Sequence, residues 1–327
     1  MENKSTHRAE VVPVSLKPHT NSDNLSIVEV FGYTVVVRTQ DWIGKTKGIY
    51  IQPDSVIKTD KQGFAFLKRE GRDIERIKVK RLRGVLSMGL LIPCPDDAQI
   101  GEDYAEQLGI TRYEPEMKLI TGENTNAPPI VTFKYDVDTI YRYNHLFNVG
   151  EPVYITEKIH GASSRYVFSN DKMYCGSRNL WKLQDNGNVW WRVYNSTPSI
   201  KKFCEEHPDY ILYGEVYGPV QDMKYGKTEP TFAAFDILHQ GKWLNTHDFL
   251  FLCKLFEVPT VPKIAIDFPF DFDKIKEMAN GPSTIEGANH CREGVVVRPM
   301  IERSDPHIGR IILKAVGEDY YNRKDNQ

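Results

Sequence analysis

One lysine stands where it could act as a nucleophile: Lys158, in the stretch Thr156-Glu157-Lys158-Ile159-His160-Gly161. A free lysine amine, with a pKa near ~10.4, is protonated at neutral pH and attacks poorly. Buried beside other cations, an amine can lose its proton and attack phosphorus or a carbonyl carbon. The hexapeptide alone fits a solvated charge at a strand end equally well. Four more segments follow it: Tyr213-Gly214-Glu215-Val216-Tyr217-Gly218, Phe232-Ala233-Ala234-Phe235-Asp236-Ile237, Glu293-Gly294-Val295-Val296-Val297-Arg298 and Ile312-Leu313-Lys314. Glu215 and Glu293 sit among apolar neighbours, where an idle carboxylate is costly. Lys314 follows the apolar run Ile311–Leu313 and is expected to project from a buried strand.

In this order, over about half of the chain, the five segments resemble motifs I, III, IIIa, IV and V of the covalent nucleotidyltransferase superfamily. Its members are ATP-dependent ligases and capping enzymes. Lys158-Ile159-His160-Gly161, reading Lys-x-His-Gly rather than Lys-x-Asp-Gly, is similar to the RNA ligases. The resemblance implies three displacements at phosphorus, in which positioning and charge neutralisation supply most of the catalysis. Lys158 takes AMP from ATP and releases pyrophosphate, AMP passes to an RNA 5′-phosphate, and a 3′-hydroxyl displaces it. The resemblance leaves a nicked duplex among the RNA substrates it allows. It also implies Mg²⁺ or Mn²⁺, hard cations that prefer oxygen ligands, with Glu293 the first candidate ligand and Glu215 the second. Glu215 matches a position that contacts the nucleotide ribose, and Lys314 one that holds the α-phosphate.

The family usually has Lys-x-Lys in motif V, whereas this chain reads Lys314-Ala315-Val316; Lys324 or Arg323 would have to replace the second lysine. Arg178, in Ser177-Arg178-Asn179, resembles the motif Ia arginine that reaches phosphate or ribose. Of Phe232 and Phe235, the resemblance favours Phe232 for stacking on adenine and leaves the other in the core. Glu157 is expected at the adenine edge through its backbone, and Asp236 to support its neighbours. His160 stands where many relatives place a carboxylate, and its role is expected after the enzyme is charged. Alternatives are a DNA ligase, a GTP-dependent capping enzyme, or a nucleic-acid-binding protein with an inactive transferase domain.

These segments fall on strands or strand ends; before Lys158, Val153 and Ile155 alternate with polar residues as in a half-buried strand. Helices are predicted from a Ser196 cap through Ile200 and Phe203 to Glu206, from Asn245 or Thr246 through Phe249 to Phe256, and from an Asp271 cap to Asn280-Gly281. Strands with interspersed helices predict an α+β domain over residues 126–327. The chain stops 13 residues after Lys314, so the C-terminal domain of many DNA ligases and capping enzymes is not expected.

Residues 1–125 read differently. Glu10–Leu16, Ser26–Val30, Tyr33–Arg38, Gly48–Gln52, Ile74–Leu82 and Ser87–Ile92 are short predicted strands separated by turns, which suggests a small all-β barrel. Asp96–Leu108 is a candidate short helix. The segments Val14–His19, Asn24–Val28 and Lys80–Pro93 are similar to an N-terminal OB domain found in one group of RNA ligases. Lys68–Arg83 holds eight Lys or Arg against three acids, a stripe that could track phosphates or form a solvated hairpin face. Thr121–Pro129, polar and ending in two prolines, is the linker candidate, with a boundary near residue 125.

Composition adds limits. A net charge of −2 provides no global basic field, so any nucleic-acid contact depends on local patches. No apolar run approaches a membrane span, and residues 1–10 lack the apolar core of a signal peptide. Five scattered cysteines fit reduced thiols and a cytoplasmic or other intracellular setting, including that of an infected host. The protein is expected to act as a monomer.

Overall fold

The computed structural model describes residues 7–61, 63–70, 73–113, 123–185 and 187–325, the side chains of 324 and 325 excepted. Contacts divide the chain into two compact units between Glu116 and Met117. That point lies within 114–122, outside the described residues, as does the start of the expected linker.

The N-terminal unit contains β1 (Ala9–Pro13), β2 (Lys17–His19), β3 (Ser22–Val30), β4 (Tyr33–Arg38), β5 (Lys47–Ile51), β6 (Ser55–Lys58), β7 (Ile74–Arg76), β8 (Lys80–Leu82), β9 (Val85–Ser87), β10 (Leu90–Ile92) and β11 (Thr111–Arg112). Among the described residues these strands do not close into one barrel. They form sheets β1-β5-β10, β2-β3-β4, β11-β6-β7 and the pair β8-β9. The reason is visible in β5, which is buried on both faces. Ile49 and Ile51 pack with Ile57, Phe64 and Ile110, whereas Tyr50 packs with Val28, Val35 and Trp42. Two small cores thus replace one barrel interior. The predicted strand Ser87–Ile92 is split at Gly89, where φ is +106° and an added Cβ would lie 2.6 Å from the Ile51 carbonyl oxygen. Asp96–Leu108 is not a helix. Gly101 at φ +91° interrupts it, and the Asp103 carboxylate accepts from Ala9 N at 2.9 Å and Ala105 N at 3.0 Å.

The second unit is α+β. Its strands are β12 (Asn124–Thr125), β13 (Asp138–Thr139), β14 (Pro152–Lys158), β15 (Ala162–Ser169), β16 (Lys172–Ser177), β17 (Trp181–Lys182), β18 (Tyr210–Tyr217), β19 (Thr231–His239), β20 (Lys242–Trp243), β21 (Lys263–Pro269), β22 (Gly294–Pro299), β23 (Ser304–Asp305), β24 (Gly309–Arg310) and β25 (Leu313–Val316). One sheet runs β12-β17-β16-β15-β18-β19-β20 and the other β13-β25-β22-β14-β21. β12 already pairs within the first of these sheets.

Helices cover one face of each sheet. Among the described residues the α-helices are α1 (Thr39–Trp42), α2 (Ile140–Tyr143), α3 (Val189–Ser196), α4 (Pro198–Glu206), α5 (Thr246–Leu255), α6 (Phe272–Met278) and α7 (Glu318–Asp325). Trp190, Phe203 and Phe249 bring α3, α4 and α5 onto the larger sheet. Ile140 and Ile275 bring α2 and α6 onto the smaller one. Asp271 caps α6 as expected, accepting from Asp273 N and Lys274 N. Ser196 instead ends α3, a helix the sequence reading missed, and Thr197 precedes α4 with Pro198 in its first turn.

Candidate active site

Strand alternation assigns the site. On β14, Val153 and Ile155 enter the helix-covered core, so Tyr154, Thr156 and Lys158 face the other way. On β22, Val295 and Val297 are core, so Val296 and Arg298 share that second face. From the larger sheet, Ser163, Glu215 and Phe235 line the same cavity. On β25, Leu313 and Ala315 are core; Lys314, paired directly with Val296, therefore stands on the cavity face.

Lys158 ends β14, and Ile159-His160-Gly161 carries the chain across to β15 in the other sheet. The crossover is tight. An added Cβ on Gly161 would collide with the Val216 carbonyl oxygen, and one on Gly294 with that of Ala315. His160 N donates to the Tyr225 hydroxyl at 2.7 Å, and Gln221 donates to the Gly161 carbonyl oxygen.

At the crossover, Lys158 Nζ lies 2.7 Å from Glu293 Oε1. His160 Nδ1 lies 3.3 Å from Glu293 Oε2, and its Nε2 2.9 Å from Asp222 Oδ1. Burial alone would raise the Glu293 carboxyl, but Lys158 and His160 overcome it and hold the group well below the ordinary carboxylate range. Glu215 goes the other way. Burial raises it to about 8, with Glu293 adding to the rise and Lys158 opposing it. Two carboxyls beside Lys158 are therefore driven apart in proton affinity.

A divalent cation fits this donor set. Glu293 Oε2 is buried without a hydrogen bond, and Glu215 is costly to ionise unless positive charge arrives. No cluster of three or more His, Cys, Asp or Glu able to hold a metal occurs among the described residues, so phosphate and water oxygens would have to complete the coordination.

Deeper in the cavity, Arg298 lies over Tyr154, and its Nη1 is 2.9 Å from Asp236 Oδ1. Arg310 and the Tyr135 hydroxyl each reach Asp236 Oδ2 at 2.7 Å. Burial would raise Asp236; the two arginines lower it instead. Asp236 thus braces the cavity wall, as its supporting role required.

Other expected residues are placed as follows. Phe232 is not at the cavity. It is 1% exposed in the helix-side core, edge-on to Tyr166, whereas Phe235 lines the cavity 4.4 Å from the Tyr135 ring. The resemblance favoured Phe232, but two phenylalanines three apart fall on opposite faces of a strand, and packing puts Phe235 on the cavity side. Arg178 pairs with Asp136, between the cavity-lining Tyr135 and Val137. Glu157 turns its carboxylate away from the cavity to accept from Ser283 Oγ at 2.6 Å and from Thr284 N and Oγ1 at 2.7 Å each. Arg323 goes to Asp222 at 3.1 Å, and the Lys324 side chain lies outside the described residues. Asp222, Tyr135 and Arg310 were missed, because each sits outside the quoted segments and joins the site only through folding. Arg298 closes the Glu293 segment and could have been read from it.

An RNA ligase family model matches residues 151–316, which include Lys158, both carboxylates and all the described cavity-lining side chains except Tyr135 and Val137. The chain belongs to the RNA ligase family. An OB-fold domain model matches residues 10–94 of this ligase. No curated protein matches at a significant level. Among solved structures, a variant of Naegleria gruberi RNA ligase with ATP and Mn is 24% identical, with a TM-score of 0.84, covering 98% of this chain and 99% of that one. The same enzyme with PPi gives 23% and 0.84, covering 99% and 100%, and another variant with AMP and Mn gives 24% and 0.84, covering 98% and 100%. At these identities the likeness establishes a common fold across both units.

Proposed function

We propose that this RNA ligase uses ATP and joins RNA 3′-hydroxyl and 5′-phosphate ends through lysyl-AMP on Lys158. The observation that carries the reading is the 2.7 Å contact of Glu293 with Lys158, which lines a cavity together with Phe235 and Tyr135. The Naegleria structures, with ATP or AMP and Mn, support the choice of nucleotide and metal. Lys158 Nζ attacks the α-phosphorus, pyrophosphate leaves, and the amine proton is lost. Attack needs a free amine pair, so Glu293 has to exchange its hold on Lys158 for other positive charge. A divalent metal, when bound, would supply that charge and neutralise phosphate oxygens, with Glu293 and Glu215 as its ligands. Lys314 would add positive charge at the α-phosphate from the strand beside Val296. Phe235 and Tyr135 would hold the adenine, and Arg178 the ribose or a phosphate.

AMP then moves to an RNA 5′-phosphate, and a 3′-hydroxyl displaces it. The N-terminal unit would hold RNA. Lys78, Lys80, Arg81 and Arg83 are all exposed, as phosphate contacts require, while Arg72 of the same stretch is outside the described residues. Labelled ATP with metal, followed by a denaturing gel, tests the first step. The wild type should take up label in a bond stable to alkali and broken by acid, and Lys158→Ala should take up none. A labelled Lys158→Ala variant, or stronger labelling from GTP, overturns the assignment.

A further inference from the structure

A chain of side-chain contacts runs from α7 to Lys158. Arg323 Nη2 on α7 lies 3.1 Å from Asp222 Oδ2, and Asp222 Oδ1 lies 2.9 Å from His160 Nε2. His160 Nδ1 is 3.3 Å from Glu293 Oε2, whose Oε1 holds Lys158 at 2.7 Å. The two Asp222 oxygens face different cations or rings, and the two His160 nitrogens face different carboxylates. Asp222 lies in the loop after Gly218, and Arg323 lies 101 residues further along the chain. The sequence gives no sign that they meet.

We propose that Asp222, steadied by Arg323, is a positioning residue for His160, so that α7 fixes the Lys158–Glu293 geometry from outside the cavity. The inference rests on the ligase reading of the site. An imidazole ring can turn about its outer torsion, and a partner on one nitrogen fixes the direction of the other. With Asp222 on Nε2, Nδ1 must face Glu293; without it, the ring can swing and Glu293 Oε2 loses its neighbour. The helix is tied in place independently. Tyr320 is 5% exposed among Ile159, Tyr225 and Ile285, and its hydroxyl lies 3.4 Å from His160 Nδ1. Asp319 accepts from Gly281 N at 2.9 Å. Thus α7 has anchors besides the Arg323–Asp222 pair.

The test uses full-length enzyme and two rates: AMP uptake from ATP, and joining of a strand that already carries 5′-AMP. Asp222→Ala should lower at least one maximal rate about tenfold or more, the scale expected when a reacting group is misplaced. The KM for ATP should stay within about twofold, because Asp222 is not among the residues lining the cavity. Asp222→Asn keeps an acceptor for an Nε2 proton and should recover most of the loss. In a His160→Ala background, Asp222→Ala should cost less than about twofold more, since residues acting through one another are not additive. Arg323→Ala should repeat the Asp222→Ala pattern more weakly, which keeps the test intact if Asp222→Ala folds poorly. An unchanged rate in Asp222→Ala, or a full extra loss in the His160→Ala background, overturns the proposal. A wild type that takes no AMP from ATP overturns the ligase reading instead, so the two failures are separable.

Discussion

Glu215→Gln should stabilise the metal-free enzyme at neutral and alkaline pH and leave it nearly unchanged near pH 5. Burial raises the Glu215 carboxyl from 4.5 to about 8 in the folded chain. A group that holds its proton more tightly when folded makes stability fall as pH rises from the unfolded pKa to the folded one. The loss begins near pH 4.5 and levels off above about 8. At ~1.36 kcal/mol per pH unit the full effect would be about 5 kcal/mol. Glu215 is only half-buried, so water screens part of it, and roughly 2 kcal/mol is expected. Glutamine matches the shape and cannot ionise. Urea titrations from pH 5 to 9 in chelator, followed by tryptophan fluorescence, measure the difference. Four of the five tryptophans, Trp181, Trp190, Trp191 and Trp243, lie in the catalytic unit. The gap between variant and wild type should widen from under ~0.5 kcal/mol at pH 5 to about 2 kcal/mol at pH 8.5. Added Mg²⁺ or Mn²⁺ should narrow it, because a cation favours the ionised carboxylate. Parallel curves across this range would refute the argument.

Two further outcomes follow from the packing. Phe235→Ala should raise the KM for ATP roughly three- to tenfold with little change in stability, the scale of one lost aromatic contact, whereas Phe232→Ala should cost about 3–5 kcal/mol of stability; ATP kinetics and urea midpoints of both variants check this, and a reversed pattern would put Phe232 in the cavity. A fragment starting at residue 117 keeps β12 in its sheet and should still form lysyl-AMP while sealing RNA poorly; sealing at the full-length rate would leave the N-terminal unit no part in holding RNA.

Local pattern carried far in this chain because strands have a strict period of two. Val153 and Ile155 marked the core face of β14, and the same alternation placed Lys158 opposite it. Glu215 and Glu293 announced themselves as carboxylates among apolar neighbours, and both flank Lys158 in the folded chain. Cap chemistry was equally readable where the side chain itself makes the bond, as at Asp271. It failed at Ser196, where α3 was missed and a proline two residues on decided the start of α4. The expected barrel failed for a similar reason: six short strands leave open how many cores they enclose, and burial of both faces of β5 settled on two.

By itself, then, the sequence singled out Lys158, Glu215 and Glu293 and indicated the α+β unit and the β-rich unit before it. Those properties follow from residue type and from neighbours within a few positions. Tertiary structure alone decided which phenylalanine lines the cavity, because the bulge in the β18–β19 pairing and the helix-side core select the face. It alone joined Asp222 and Arg323 to His160, and Arg310 and Tyr135 to Asp236. These contacts bridge residues up to about a hundred positions apart, and their energies come from charges brought together by folding, which no local pattern encodes.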